Sequence, residues 1–502
     1  MNKIIVLFLT FWCSSLFSQE FLTPAQNVNF SAVSTYDQIS EYIMLLDKSS
    51  GLLEVQIIGK SVQNRNLYAL KYSNPASGKS SSKIKVLIFA QQHGNEQSGK
   101  EGALLLAASL LKPENRYLFD RLDIVLIPQM NPDGSEQNKR RNGNNMDLNR
   151  NHLILTEPET QALHKLFDQY LFEVSMDVHE YWPFGETGKE FGYHSNSDIL
   201  TGVNTNPNVS EKIRSLSNQE YMPFIKRYLD KQKISNSVYS PGGPPEIDYI
   251  RHSTFDINDG RQSLGIQNTF SFIQEGLNGK DSFIENLEHR AKNQMAGMLG
   301  LLEYSYQNKE KIRKLVRAER RILLKPEADT PVSIQNEHIK NGEKLKLPVH
   351  SYYSGLDSVI IVTDYRPVVA SIFDVYKPIG YLIPKSNSEL IEWCELHSLN
   401  KNSYKPSKSH QTELYTINSI DSVDFERDII VNPIVEKNVL TSEVSIADYV
   451  FVPTSQLKGN LIVLALEPKS MLGLVTYPKF EYLLKNGEPY NVLRIVKKKH
   501  KN

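Results

Sequence analysis

The sequence predicts an α/β domain with a central sheet flanked by helices, followed by a smaller α+β, strand-rich C-terminal domain. Three observations carry this. Residues 83–90 (KIKVLIFA) and 122–128 (LDIVLIP) are short, nearly continuous apolar runs, the pattern of strands buried on both faces. Helical patterns over 99–111 and 159–170 alternate with such runs. Beyond Arg321 the pattern changes to short strands with one helical stretch.

The elements follow in order. Lys3, an apolar run over 4–12 and small polar residues up to Ser18 have the order of a signal peptide, so residues 1–18 are expected to be removed and the mature chain secreted, periplasmic or extracellular. Cys13 offers lipidation as an alternative, although bulky Trp12 before it does not suit such a site. Cys394 is then the remaining cysteine, so the mature chain holds no internal disulfide. No later apolar run reaches the ~20 residues that span a bilayer. A helix over 36–46 leads to strands over 54–58, 67–72 and 83–90, then the helix over 99–111 and the strand over 122–128. The helix over 159–170 precedes a strand in which Phe172, Val174, Met176 and Val178 alternate with polar residues up to His179. Residues 201–265, rich in Asn, Pro and Gly, read as long loops around a helix over 210–231. A strand over 268–274 and a helix over 282–307 close the first domain, placed at 19–310. The second, 322–502, reads as strands over 358–363, 449–452 and 461–466 with a helix over 388–395, and its role is open.

Charge narrows the function. With 57 basic and 57 acidic residues, no global field draws the chain to nucleic acid or an anionic membrane. No pattern sets an oligomeric state.

Catalytic zinc sites take three ligands from His, Glu or Asp and leave one position for water. The spacing His-x-x-Glu occurs at His93/Glu96 and at His410/Glu413. His93 follows directly on the apolar run 83–90, in a turn with Gly94 and before a helix, whereas His410 reads as part of a polar loop. Ligands of open α/β sheets gather outside the carboxyl ends of the strands. His93, Asn131, His179 and Glu275 each end a predicted strand, so four strand ends bring polar groups to one rim. Taken singly, each of these residues reads as an ordinary turn or strand-end residue, and the joint pattern is what points to a site. A further cluster runs from Asn131-Pro132-Asp133-Gly134 through Arg140-Arg141 to Asp147-Leu148-Asn149-Arg150-Asn151. By itself it reads as a basic surface loop; beside a metal, its arginines suit a substrate carboxylate.

His93-x-x-Glu96, Asn131–Gly134, Asp147–Asn151, His179 and Phe272-Ile273-Gln274-Glu275 stand in the order of the zinc metallocarboxypeptidase family, the carboxypeptidase A/B and N/E kind, which the chain resembles over residues 36–307. The resemblance implies a mixed central sheet and one zinc ion per chain, held by His93, Glu96 and His179. It implies zinc-activated water with Glu275 as general base, Arg140 or its neighbour Arg141 as oxyanion arginine, and Asn149 with Arg150 gripping the terminal carboxylate. Tyr249 is expected to be the tyrosine that covers the substrate, with Tyr239 competing. Peptide or protein C-termini are the implied partners, and Asp256 and Asp259 could attract a basic terminal side chain. Rival readings keep the zinc but cut peptidoglycan stem peptides or γ-glutamyl-linked peptides, deacylate small N-acyl amino acids, or make the chain an inactive binding protein on the same fold.

Overall fold

A computed structural model describes residues 21–74, 82–279, 284–326, 330–425, 428–441 and 445–498; the signal-peptide reading of residues 1–18, and Cys13 with it, lies outside them. Strands β1 (Leu53–Lys60), β2 (Asn66–Tyr72), β3 (Ile84–Ala90), β4 (Leu122–Ile127) and β5 (Val174–Tyr181) come first. Next are β6 (Tyr193–Ser195), β7 (Ile199–Val203), β8 (Asn236–Val238), β9 (Ile250–Arg251) and β10 (Phe270–Leu277). All but β6 and β9 form one sheet in the order β1-β2-β4-β3-β5-β10-β7-β8. Strands β4, β3, β5 and β10 run parallel, β1 and β2 pair antiparallel with their neighbours, and β7 pairs antiparallel with β10 but parallel with β8. The sheet is mixed, as the resemblance implies.

Alternation along β3 explains why its run is apolar throughout. Val86 and Ile88 share a core with Leu104 and Leu106 of the helix Gln97–Ser109 and with Leu302 of the helix Leu287–Gln307. Leu87 and Phe89 point the other way, into a core with Leu163 and Phe167 of the helix Pro158–Tyr170. Each such side chain contributes about 1.5–3 kcal/mol by leaving water, which a polar residue on either face would forfeit. The four parallel strands therefore end on one edge with little freedom to shift.

The rest of the chain adds β11 (Pro331–Ile339), β12 (Leu345–Ser351), β13 (Asp357–Val362), β14 (Tyr365–Arg366), β15 (Val368–Tyr376) and β16 (Gly380–Pro384). It continues with β17 (His410–Ser419), β18 (Ser422–Phe425), β19 (Asp428–Val431), β20 (Ile434–Val439), β21 (Tyr449–Pro453) and β22 (Pro489–Lys497). Five of these make an antiparallel sheet, β20-β17-β22-β16-β21. Two sequence expectations fail here. The run 461–466 is not a strand but part of the helix Gly459–Leu466, because an apolar run buried on every side carries neither period. His410 opens β17 rather than lying in a loop, and Glu413 faces the buried Arg494, so this second His-x-x-Glu is structural.

The C-terminal region does not hang free. One apolar core runs from Val86 and Met176 to Trp393 and Leu461. The Trp393 indole and His397 Nε2 both donate to the Leu153 carbonyl, at 2.8 and 2.7 Å. Two of its strands complete strands of the first region: β12 pairs with β6, and β14 with β9. Among the described residues no helix is long and apolar enough to cross a membrane.

Candidate active site

Strand β3 delivers the chain into a tight turn that holds His93. Gly94 in that turn lies so close to the Asn131–Ser135 segment that a Cβ would overlap the Gly134 carbonyl carbon and the Ser135 nitrogen. Glu96 sits at the N-terminus of the helix Gln97–Ser109, where the helix dipole favours a carboxylate. His179 lies near the end of β5, paired in register with Glu275 on β10.

These placements bring His93 Nδ1 to 2.6 Å from Glu96 Oε1, and His179 Nδ1 to 2.9 Å from Glu96 Oε2. The two Nδ1 atoms are 3.1 Å apart. Each imidazole has a carboxylate on its far nitrogen, Asp147 at 3.1 Å from His93 Nε2 and Asp177 at 2.9 Å from His179 Nε2. Such partners keep the proton on Nε2 and turn both Nδ1 lone pairs inward. Two lone pairs and a buried carboxylate then face one point, an arrangement that calls for positive charge, and Arg140 Nη1 comes to 3.2 Å from His93 Nδ1 and 3.6 Å from Glu96 Oε1. The donor set, two neutral imidazoles and one carboxylate, fits catalytic zinc.

The electrostatics agree with a site built for positive charge. Burial works against ionising Glu96, but His93 and His179 outweigh it and hold the carboxyl well below its usual range. Burial likewise opposes the charge on Asp147, and the bond from His93 together with the charges of Arg140 and Arg150 overcomes it.

Glu275, nearly buried, lies on the wall of the same cavity, which has a volume of about 770 Å³. Burial, with Glu96 and Asp177 adding to it against His179 and Arg140, pushes its carboxyl up to about 8. Arg140 is half exposed to the cavity and anchored by Asp147, with Nε and Nη2 each 3.0 Å from Oδ2. Arg141 points away and donates to the Asn145 carbonyl, so the structure places Arg140 in the cavity and Arg141 outside.

Asn149 Nδ2 lies 3.4 Å from His179 Nε2, and its Oδ1 accepts from the Gly260 amide at 2.8 Å. Burial alone would weaken the Arg150 cation, but Asp256, Asp147 and Asp259 more than compensate. Asp259 lines the cavity already engaged: it accepts from the Gln262 amide, from Thr254 Oγ1 and from the Arg261 guanidinium at 2.9 Å. A free anion awaiting a basic substrate side chain is therefore not what it offers.

Tyr249 requires a correction. Its ring lies under the Arg366 guanidinium, 3.8 Å from carbon to centroid, and it does not line the cavity. The cation–π contact and the pairing of the next two residues in β9 hold it aside. Tyr239, ten residues earlier, is on the cavity wall, with Arg150 and Glu275 close enough to act on its hydroxyl. Sequence reasoning missed Gln92 entirely. Its amide donates to Asp177 at 2.7 Å and to Asn149 at 3.2 Å, tying a ligand's carboxylate to the substrate-binding loop. Its place next to His93 was the available signal.

The family model described as zinc carboxypeptidase matches residues 39–237. Carboxypeptidase 2 of Trichophyton rubrum is 22% identical over 440 residues, 86% of this chain and 80% of its own. The chain thus carries a region, residues 39–237, that matches the zinc carboxypeptidase family. It is a zinc metallopeptidase, and peptides with C-termini are the substrates of carboxypeptidases. Human carboxypeptidase D is 34% identical over 235 residues, 40% of this chain and 17% of its own length. The crystal structure of a metallo-carboxypeptidase from Burkholderia cenocepacia is similar at a TM-score of 0.43 and 17% identity, covering 55% of this chain and 69% of that one.

Proposed function

We propose that this carboxypeptidase is an exported enzyme in which His93, Glu96 and His179 hold one zinc ion and Glu275 is the general base for hydrolysis of the last peptide bond. Residues 19–310 form the catalytic domain in this reading, and 322–502 an accessory domain. The observation that carries it is the meeting of two inward Nδ1 lone pairs and the Glu96 carboxylate in one cavity with Glu275 and Arg150. Zinc bound there would supply a Lewis acid that polarises a carbonyl and acidifies water.

The chain's own groups supply the rest. With a metal cation beside it favouring the ionised form, the Glu275 carboxylate would accept a proton from the attacking water and pass it to the departing amine. Arg140, steadied by Asp147, donates to the carbonyl oxygen as negative charge grows on it, a type of contact whose loss costs ~2.7–4 kcal/mol of barrier. Asn149 and Arg150 receive the terminal carboxylate, and Tyr239, in place of Tyr249, closes over the terminal residue. An arginine left unpaired in the cleft disfavours substrates without a free C-terminus.

The test is metal analysis of the purified protein together with release of terminal residues from a peptide panel, for the natural chain and Glu275→Gln. One zinc per chain and trimming abolished by the substitution support the reading. Undiminished trimming by Glu275→Gln, or no zinc after reconstitution, overturns it.

A further inference from the structure

The cavity is not walled by the peptidase region alone. Strand β12 adds to β6, pairing Val349 with Ser195, His350 with His194 and Ser351 with Tyr193. The Tyr352 amide continues the ladder to the Gly192 carbonyl at 2.8 Å. Leu347 and Pro348, just before the first residue of β12 paired with β6, are thereby carried to the cavity wall. The seam is apolar, with Leu345, Leu347 and Val349 packed on Ile250 and Tyr193.

An aromatic path leaves the cavity along this seam. Trp182, three residues beyond His179, is 49% exposed and meets Phe184 edge-on at 5.3 Å between centroids. Phe184 meets His194 at 4.9 Å, and His194 meets Tyr352, 41% exposed, at 5.1 Å. The path therefore starts in the cavity and ends on the C-terminal hairpin.

A substrate cut at its last bond occupies the inner site with its final residue, and everything before that bond must run outward. In the carboxypeptidase reading Arg150 and Asn149 take the carboxylate, and Thr254, Ile273 and Tyr239 line the same cavity. What remains is the strip that leads out. At ~3.4 Å per residue, three ring-to-ring steps span up to about four residues of extended chain.

Resting on the carboxypeptidase reading, we propose that Trp182, Phe184, His194 and Tyr352, with Leu347 and Pro348, bind the substrate residues that precede the scissile bond, and that apolar and aromatic side chains are favoured there. Exposed aromatics joined to an active-site cavity offer such side chains contact area at low entropic cost. The C-terminal region is by this account a part of the substrate cleft.

The experiment compares kcat/KM for free-C-terminus peptides of two and five residues that share their last two residues, the longer made with either apolar or acidic residues at its first three positions. The apolar pentapeptide is expected to exceed the dipeptide about tenfold, and Trp182→Ala or Tyr352→Ala to bring that ratio down about fivefold. Both rings are exposed, so these variants keep the fold. Binding of the apolar pentapeptide to Glu275→Gln, measured by calorimetry, should weaken in parallel when either substitution is added. A ratio near one in the natural chain, equal gain from acidic residues, or a ratio untouched by both substitutions overturns the cleft assignment while terminal release continues. Faster release from glycan-bearing muropeptides than from apolar pentapeptides overturns it in favour of a sugar platform. No release at any length would sink both readings.

Discussion

Replacing Asp147 by Asn tests how the site is held together. One carboxylate accepts from His93 Nε2 at 3.1 Å, from Arg140 at 3.0 Å and from the Asn149 amide at 2.9 Å, so a metal ligand, the oxyanion donor and the carboxylate-binding loop share a single anchor. An asparagine offers one oxygen and turns an N–H toward the remaining donors. The charge that fixes the His93 tautomer is lost with it. Outer-shell partners of this kind are worth about 10–100-fold in metal affinity, which is about 1.4–2.7 kcal/mol. Arg140 loses its anchor as well, so activity should fall further even when zinc is saturating. The assay is a chelator-competition titration for zinc affinity, followed by kcat/KM at saturating zinc. Asp147→Asn with zinc affinity within twofold of the natural chain would refute the tautomer argument; unchanged kcat/KM at saturating zinc would refute the anchoring of Arg140.

Further outcomes follow from other contacts. Arg150→Gln should raise KM for free-C-terminus peptides far more than for amidated ones, narrowing the preference between the two, as paired kinetics on matched substrates would reveal. Gly94→Ala forces a Cβ into the Gly134–Ser135 backbone and should lower both the denaturant midpoint and zinc affinity, because the turn that aims His93 must open. Acid should destabilise the fold through buried neutral histidines. Burial holds His338 and His397 down to about 3 and His252 to about 4, against an ordinary value near 6.5. The unfolded chain therefore binds more protons between those limits, and stability present above pH 6.5 is lost as pH falls toward 4, by up to about 1.4 kcal/mol per pH unit for each group. Urea titrations at pH 7 and pH 5 read this directly, and equal midpoints would contradict it.

How much was legible varied with the kind of signal. The strands that lead to His93, His179 and Glu275 were readable because burial on both faces leaves an apolar run that little else produces at that length. Residues 459–466 have the same composition and form a helix, since an environment apolar on all sides erases the period that separates the two. Choosing between Tyr239 and Tyr249 needed a cation from another part of the chain, Arg366, which no local pattern near either tyrosine announces. Arg140 and Arg141 are equivalent as letters and differ by which way a turn points them. The pairing of β12 with β6 joins residues far apart in sequence and was invisible for that reason.

That pairing also has a consequence in time. Residues 193–195 emerge from the ribosome well before their partners 349–351, a delay of roughly ten to thirty seconds at ordinary rates of synthesis. Through that interval the edge of β6 and the Leu153 carbonyl await donors not yet made. The cleft is therefore finished last, after the catalytic side chains have been assembled, and the enzyme's final shape depends on its last third being delivered.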